Sequence, residues 1–224
     1  MIELFDVIVA DPPWRYAFSN SKSRRIENQY ETMTPQDIKA LGPRIPAAPR
    51  SVLFLWCPAP KLPLGLEVMA AWGFEFKTQA VWDKKRLGRG YWRRGRHENV
   101  FIGTRGRFPP PPTSLRFSSV IEEARSSVHS RKPELFMRQL DETYHDLRKL
   151  ELFARGCRPG WLAWGNEATD PIELLPPCVC PGSGSRTSPE TVPALVSNAC
   201  PKHNLFPAVV EGCLATRHRN GATS

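Results

Sequence analysis

A chain of 224 residues is long enough to bury a sizeable core in one domain and still carry an extension. Its 41% hydrophobic and 24% charged content is that of a globular protein, and no apolar run approaches the roughly 20 residues of a membrane-spanning helix. The formal charge of +9 favours a polyanionic partner, nucleic acid before a membrane surface, unless the chain is simply basic. The six cysteines are scattered, which suits a reducing compartment. The chain opens on a strand-like segment without a basic-then-apolar leader, so a cytoplasmic location is expected.

In chain order, Leu4 to Ala10 is a short apolar run rich in Val and Ile, as in a strand covered on both faces. "TMTPQDIKAL" reads as a helix start: Thr34 can cap, Pro35 fits the first helical position and Asp37 the first turn. "SVLFLWC" (51–57) reads as a second buried strand, "LPLGLEVMAAWG" (62–73) as a helix ending on Gly73, and "FEFKTQAVWDK" (74–84) as a third strand. This alternation predicts an α/β sheet. The pattern then breaks at "KKRLGRGYWRRGRHE" (84–98), an Arg- and Gly-rich loop with Tyr91 and Trp92 inside it. "NVFIGTRG" (99–106) resumes a strand, and "FPPPPTSLRF" (108–117) can be neither central strand nor helix. A helix over 130–144, with Pro133 at its start, is followed by strands in "RKLELFAR" (148–155) and "GWLAWGNE" (160–167). Residues 168–224 turn rich in Pro, Ser, Gly and Cys and are expected to be a largely disordered or irregular tail outside the 1–167 catalytic domain.

The stretch "FDVIVADPPWRYAF" (5–18) carries chemistry at its turn. In open α/β sheets ligands bind beyond the carboxyl ends of the strands, where Asp11 lies. Pro12 and Pro13 fix two φ angles and offer carbonyl acceptors but no N–H, and Trp14 offers a flat apolar face. Such a cluster suits a planar group carrying an amine. An exocyclic base amine is a poor nucleophile because its lone pair is delocalised. If Asp11 and the Pro12 carbonyl accept its two hydrogens, the pyramidal geometry that frees the lone pair is favoured.

The D-P-P-W tetrad, Asp11 to Trp14, resembles the catalytic motif of adenine methyltransferases that use S-adenosylmethionine. "YETMTPQDI", "FLWC", "WGFEFKTQAVWDK", "GRGYWRRGRHE", "HSRKPE", "LELFAR" and "GWLAWGNE" follow in the order of the MT-A70-like family, so the resemblance covers about residues 5–167. It implies a Rossmann-like, S-adenosylmethionine-dependent methyltransferase fold in permuted order, catalytic motif first and cofactor strands last. It also implies cofactor contacts from Asp11, Ser130, Lys132, Arg155, Asn166 and Glu167, the last two on ribose hydroxyls, and a place for Tyr30 in the wall of an adenine site, although Tyr30 also fits as a core aromatic. The chain departs from the glycine-rich loop of other methyltransferases, because "ELFARG" has only Gly156.

The basic loop has two readings. Arg86, Arg89, Arg93, Arg94 and Arg96 are either a solvated run or, with Tyr91 and Trp92, a phosphate-contacting and base-stacking surface. An enzyme acting on the adenine amine must flip the base out of a duplex or take single strands, and a loop of this kind serves both. The expected reaction is methylation of the N6 amine of adenine in DNA, since the chain is short and has no further RNA-binding module of recognisable spacing. The alternatives are an RNA adenosine methyltransferase and a non-catalytic nucleic-acid-binding subunit. The expected chemistry needs no metal; a zinc site from Cys178, Cys180, Cys200 and His203 is a weaker reading of the tail. His97 and Glu98 have no assigned role, and Trp56 and Trp72 follow core spacing.

Overall fold

The first strand, β1 (Phe5–Ala10), is the hub of the fold because its alternating residues are buried to both sides. Phe5, Ile8 and Ala10 join one apolar cluster, and Val7 and Val9 join another on the opposite sheet face. The structure is a computed structural model that describes residues 3–15, 32–88, 90, 92–125, 132–165, 172 and 174. The expectations for Tyr30, Arg89, Tyr91, Ser130, Asn166, Glu167, Cys178, Cys180, Cys200 and His203 lie outside the described residues.

Among the described residues, seven strands form one sheet: β1, β2 (Ala47–Cys57), β3 (Glu75–Asp83), β4 (His97–Arg105), β5 (Val120–Glu122), β6 (Lys149–Leu152) and β7 (Trp161–Trp164). Their order across the sheet is β5-β3-β4-β2-β1-β6-β7. The architecture is α/β, as the Rossmann-like methyltransferase expectation requires. β1 pairs in parallel with β2 on one side and β6 on the other, and β6 pairs in parallel with β7. β4 runs antiparallel to both β2 and β3, so the sheet is mixed. The chain builds outward from β1 through β2, then crosses to its other side at β6. That reversal is a topological switch point, and in open α/β sheets ligands bind at such a point, here beyond the carboxyl ends of β1 and β6.

The helices α1 (Pro35–Ala40) and α2 (Leu62–Ala71) cover the first face, and α3 (Glu134–Thr143) covers the second. Thr34 caps α1 as expected, its hydroxyl accepting the Asp37 N–H at 3.2 Å. The Trp72 indole donates to the Ile38 carbonyl at 2.8 Å and ties α1 to α2, a packing role as foreseen. α2 sits close on the sheet because Gly65 has no Cβ; one built there would lie 2.5 Å from the Cys57 sulfur. Gly73, at φ +77°, turns the chain out of α2 toward β3 in a conformation that disfavours other residues.

α3 starts differently from the sequence reading. Its N-cap is Pro133, which supplies no side-chain acceptor. The Glu123 carboxylate takes that place, accepting the Glu134 and Leu135 N–H groups at 2.9 and 2.7 Å. At the other end the buried Lys149 ammonium donates to the carbonyls of Tyr144, His145 and Leu147. The strand β5 was not expected. It is three residues long and follows a Pro-rich run, so no period-2 pattern marks it. Past residue 165, Ile172 donates its N–H to the Ala163 carbonyl at 2.8 Å and Leu174 is buried, so core packing continues beyond residue 167.

Candidate active site

Asp11 follows the last residue of β1 and continues the face of Val7 and Val9. The chain cannot extend the strand further, because Pro12 and Pro13 have no N–H. It folds instead into a tight turn in which the Trp14 N–H donates to the Pro12 carbonyl at 2.8 Å. The Pro13 carbonyl accepts the Met33 N–H at 3.0 Å, pinning the turn to the segment before α1. The indole of Trp14 donates to the Trp56 carbonyl at 3.0 Å. That carbonyl lies one residue beyond the last β1–β2 partners, Ala10 and Leu55, where the proline pair leaves the sheet without a donor. Trp14 is 3% exposed. This corrects the expectation of an open stacking platform: the ring anchors the turn from inside the core.

The Asp11 carboxylate meets Lys132, two residues before α3. Lys132 Nζ lies 2.9 Å from Asp11 Oδ2 and 3.1 Å from Glu98 Oε2. Glu98 in turn accepts Lys84 at 2.5 Å. Two acids and two bases thus form one chain from β1 to the end of β3. Its floor is aromatic: the Lys132 ammonium lies 5.2 Å from the Trp56 ring centroid, and Trp56 packs edge-on against Trp82 and Phe136. Glu98 is the residue that sequence reasoning left without a role. Nothing local marks it, because its partners, Lys84 and Lys132, come from the end of β3 and the segment before α3.

Burial pushes the Asp11 carboxyl above the usual carboxylate range; Lys132 opposes the shift and Glu98 adds to it. Arg155, just past β6, also pulls the Asp11 value down and so stands close enough to act on the same site. Burial would lower the Lys132 value, but Asp11 and Glu98 outweigh it and hold the ammonium protonated. Burial likewise pushes Glu98 up, and Lys132 with Lys84 more than offset it, so Glu98 stays below the usual range. Glu151 on β6, the partner of Val9, is a third acid on this face, pushed up by burial and by Asp11. The site therefore holds charges of both signs, each side chain about a quarter or less exposed.

The β6–β7 side of the site is under backbone constraint. Phe153, the first residue after β6, has φ +62° and packs against Trp164 at 5.2 Å. Ala154 donates its N–H to the Trp164 carbonyl at 2.9 Å. Arg158 binds Asp141 and Glu134 of α3, and the Trp161 indole binds Asp141 as well, fixing the 153–160 segment to the helix that follows Lys132. The buried Trp56 indole N–H has no partner among the described residues.

The basic segment is more ordered at its base than a plain loop. Asp83 and Arg96 form a two-pronged ion pair at 2.7 and 2.8 Å, the Lys84 N–H donates to the Arg96 carbonyl at 3.0 Å, and the Gly88 N–H donates to the Gly95 carbonyl at 2.7 Å. The β3–β4 hairpin thus continues outward as an arm. Arg96 was expected on nucleic acid; the structure commits it to Asp83, whose carboxyl it holds far below the usual range. Arg94 folds its guanidinium onto the Gly88 carbonyl at 3.1 Å. Arg86 and Arg93 are exposed, and Trp92 is 98% exposed near the arm's tip. Lys84 joins the base of this arm to Glu98 and so to Asp11.

Comparison with known proteins agrees with this architecture. The MT-A70 family model matches residues 5–167. The type II methyltransferase M.MunI of Mycoplasma sp is 29% identical over 184 residues, covering 74% of this chain and 78% of the relative. The human N(6)-adenosine-methyltransferase catalytic subunit METTL3 is 31% identical over 186 residues, covering 78% of this chain. The Drosophila melanogaster N(6)-adenosine-methyltransferase MT-A70-like protein is 29% identical over 184 residues, covering 77% of this chain. The match spans only 30% and 28% of these last two relatives. A D-P-P-W turn at the switch point of a mixed sheet, joined to a family match across the whole sheet, places this chain in the MT-A70 family.

Proposed function

We propose that this chain transfers a methyl group from S-adenosylmethionine to the exocyclic N6 amine of adenine in DNA. The observation that carries the reading is the Asp11 carboxylate held at the switch point with the ammonium of Lys132 bonded to it. An ammonium and a base amine present the same N–H donors, so Asp11 is already shaped as an amine acceptor. The Pro12 carbonyl has one lone pair engaged by Trp14 and a second left for another donor. Acceptance of both amine hydrogens by Asp11 and Pro12 orients the nitrogen and draws its lone pair out of the ring. The rigid Pro12-Pro13 turn, fixed by Trp14 and Met33, keeps that geometry without reorganisation at the moment of reaction.

S-adenosylmethionine, when bound, supplies the electrophilic methyl group. The donor set beyond β1 and β6 fits it: Asp11 is an anion for the sulfonium side, and Lys132 and Arg155 are cations for the carboxylate. Lys132 uses two of its three donors on Asp11 and Glu98 and keeps a third. The family resemblance adds Asn166 and Glu167, which follow β7 in sequence, and Ser130, two residues before Lys132 in sequence.

The arm supports a nucleic-acid substrate. Trp92 presents a whole ring to solvent, and Arg86, Arg93 and Arg94 bring charge to the same segment, which also holds Arg89 and Tyr91. DNA is favoured over RNA because the chain matches 78% of M.MunI but 30% of METTL3. The adenosine-methyltransferase title of METTL3, at 31% identity, supports RNA as the second reading. Incubation of the full chain with labelled S-adenosylmethionine and matched adenine-containing DNA and RNA oligonucleotides tests both. N6-methyladenine in DNA is the expected product; label in RNA alone replaces the DNA reading. No label in either, with no thermal shift from S-adenosylhomocysteine, leaves a binding subunit.

A further inference from the structure

The second sheet face is only half roofed. α3 covers it near β1 and β2, but the part over β3 and β4 is spanned by the run 108–118. Pro109 to Pro112 cannot form a helix interior there, so the run bridges the face instead of filling it. Beneath it lies a cavity of about 530 Å³, a size typical of small-molecule sites. Its floor and walls are apolar: Phe54, Ala80, Ile102, Ile121, Phe136 and Leu140. Uncharged polar residues, among them Thr104, Gln139 and Tyr144, line it as well.

The charge on its lining has one sign. Lys77 and Arg116 line the cavity, and no Asp or Glu does. Lys77 is paired with Glu75 at 2.6 Å. Arg116 donates its Nε to the Pro111 carbonyl at 3.0 Å, which ties its guanidinium to the proline run that lines the cavity and leaves its terminal nitrogens without a partner among the described residues. A planar guanidinium with its terminal N–H groups available recognises a carboxylate through two parallel bonds. Asp11, Lys132 and Glu98 do not line this space, so it is separate from the methyl-transfer site. The two share a wall, since Phe136 lines the cavity and packs on Trp56 at 5.1 Å.

We propose that this cavity binds a small apolar carboxylate, its hydrocarbon or aromatic body on the Phe54–Ala80–Ile102 floor and its head on Arg116. The proposal stands on the cavity and does not depend on the reaction assigned above. The experiment uses the full chain and the fluorescent anion 1-anilinonaphthalene-8-sulfonate. Saturable 1:1 binding is expected, with displacement by decanoate and not by decylammonium. Thr78→Trp fills the mouth from an exposed strand position, and Arg116→Glu reverses the head-group charge; each should weaken the probe by at least roughly tenfold while the thermal midpoint holds. Arg116→Glu, at an exposed residue, decides the matter alone if Thr78→Trp fails to fold. Unchanged affinity in Arg116→Glu, or equal displacement by the cation, overturns the proposal.

Discussion

The Lys132 ammonium sits 2.9 Å from the Asp11 carboxylate, bonded to the acceptor that an exocyclic amine would use. Substrate must therefore share Asp11 with Lys132 or displace it, and Glu98 is the second carboxylate to which Lys132 can lean. Asp11→Asn removes the charge that orients the amine and keeps the shape. Turnover should fall by about 10²–10³-fold, by analogy with loss of one preorganised electrostatic partner. The fold should survive, because burying a neutral amide costs less than burying the carboxylate that Asp11 presents. Label transfer and a circular-dichroism melt check the two halves; wild-type turnover in this variant would refute the role.

The same pair sets a pH dependence. Burial holds the Asp11 value above the usual carboxylate range, and the amine acceptor must be ionised. The rate should therefore fall as pH drops, with a midpoint above that of an ordinary aspartate. The stability sign is opposite: a raised folded value means that this group's contribution is full below the unfolded value and is lost as pH rises through the folded one. Activity and the Asp11 part of stability should thus move in opposite directions across that window. A rate profile measured beside melts of wild type and Asp11→Asn tests this; a rate flat through the window contradicts it.

Glu98→Gln separates the network from the tetrad. Lys84 and Lys132 each lose an ionic partner while side-chain size is kept. The site is partly solvated, so a cost of about 1–3 kcal/mol is expected, seen as a midpoint lower by roughly 2–4 °C per kcal/mol. Because Glu98 lies below the usual range, its stabilisation is present above its unfolded value and is lost as pH falls through the folded one. The difference in midpoint between wild type and variant should shrink on acidification. A difference that is constant with pH would show that Glu98 acts by packing alone.

The sequence made Asp11, Pro12 and Pro13 legible because four consecutive residues carry the whole motif and no distant partner is needed to see it. The helix cap at Thr34 and the apolar strands were legible for the same reason, as local signals. What escaped was set by register across the sheet. Glu98 looks like a polar residue at a strand start until β4 is placed beside β2, which brings it toward Asp11 and Lys132. Glu123 caps α3 from before residues 126–131, a reach no capping pattern covers. Trp14 was read as a platform because its burial depends on a carbonyl of β2, and Arg96 as a phosphate contact because its partner Asp83 lies on the other limb of the hairpin.

Trp14→Phe tests that second reading of the tetrad. The side chain stays aromatic but smaller, the indole N–H is gone and the Trp56 carbonyl loses its donor. An orphaned buried acceptor costs about 1–3 kcal/mol, so the midpoint should drop by several degrees. Turnover should fall with it, because the Pro12-Pro13 turn is freed on the side facing β2. An unchanged midpoint would mean that the indole bond does not hold the turn.

Trp92 offers a cleaner separation of stacking from charge. At 98% exposure it supports nothing in the fold, so Trp92→Ala should leave stability within about 0.5 kcal/mol. If the ring stacks on bases, affinity for single-stranded oligonucleotides should weaken by about 1–3 kcal/mol. The dependence of binding on salt should stay as in wild type, because no charge is removed. Arg93→Ala should do the reverse: a modest, sequence-independent loss with the salt slope reduced by about one. Anisotropy titrations at several salt concentrations read both. A Trp92→Ala variant with wild-type affinity would detach the arm from nucleic acid while leaving the Asp11 site as it stands.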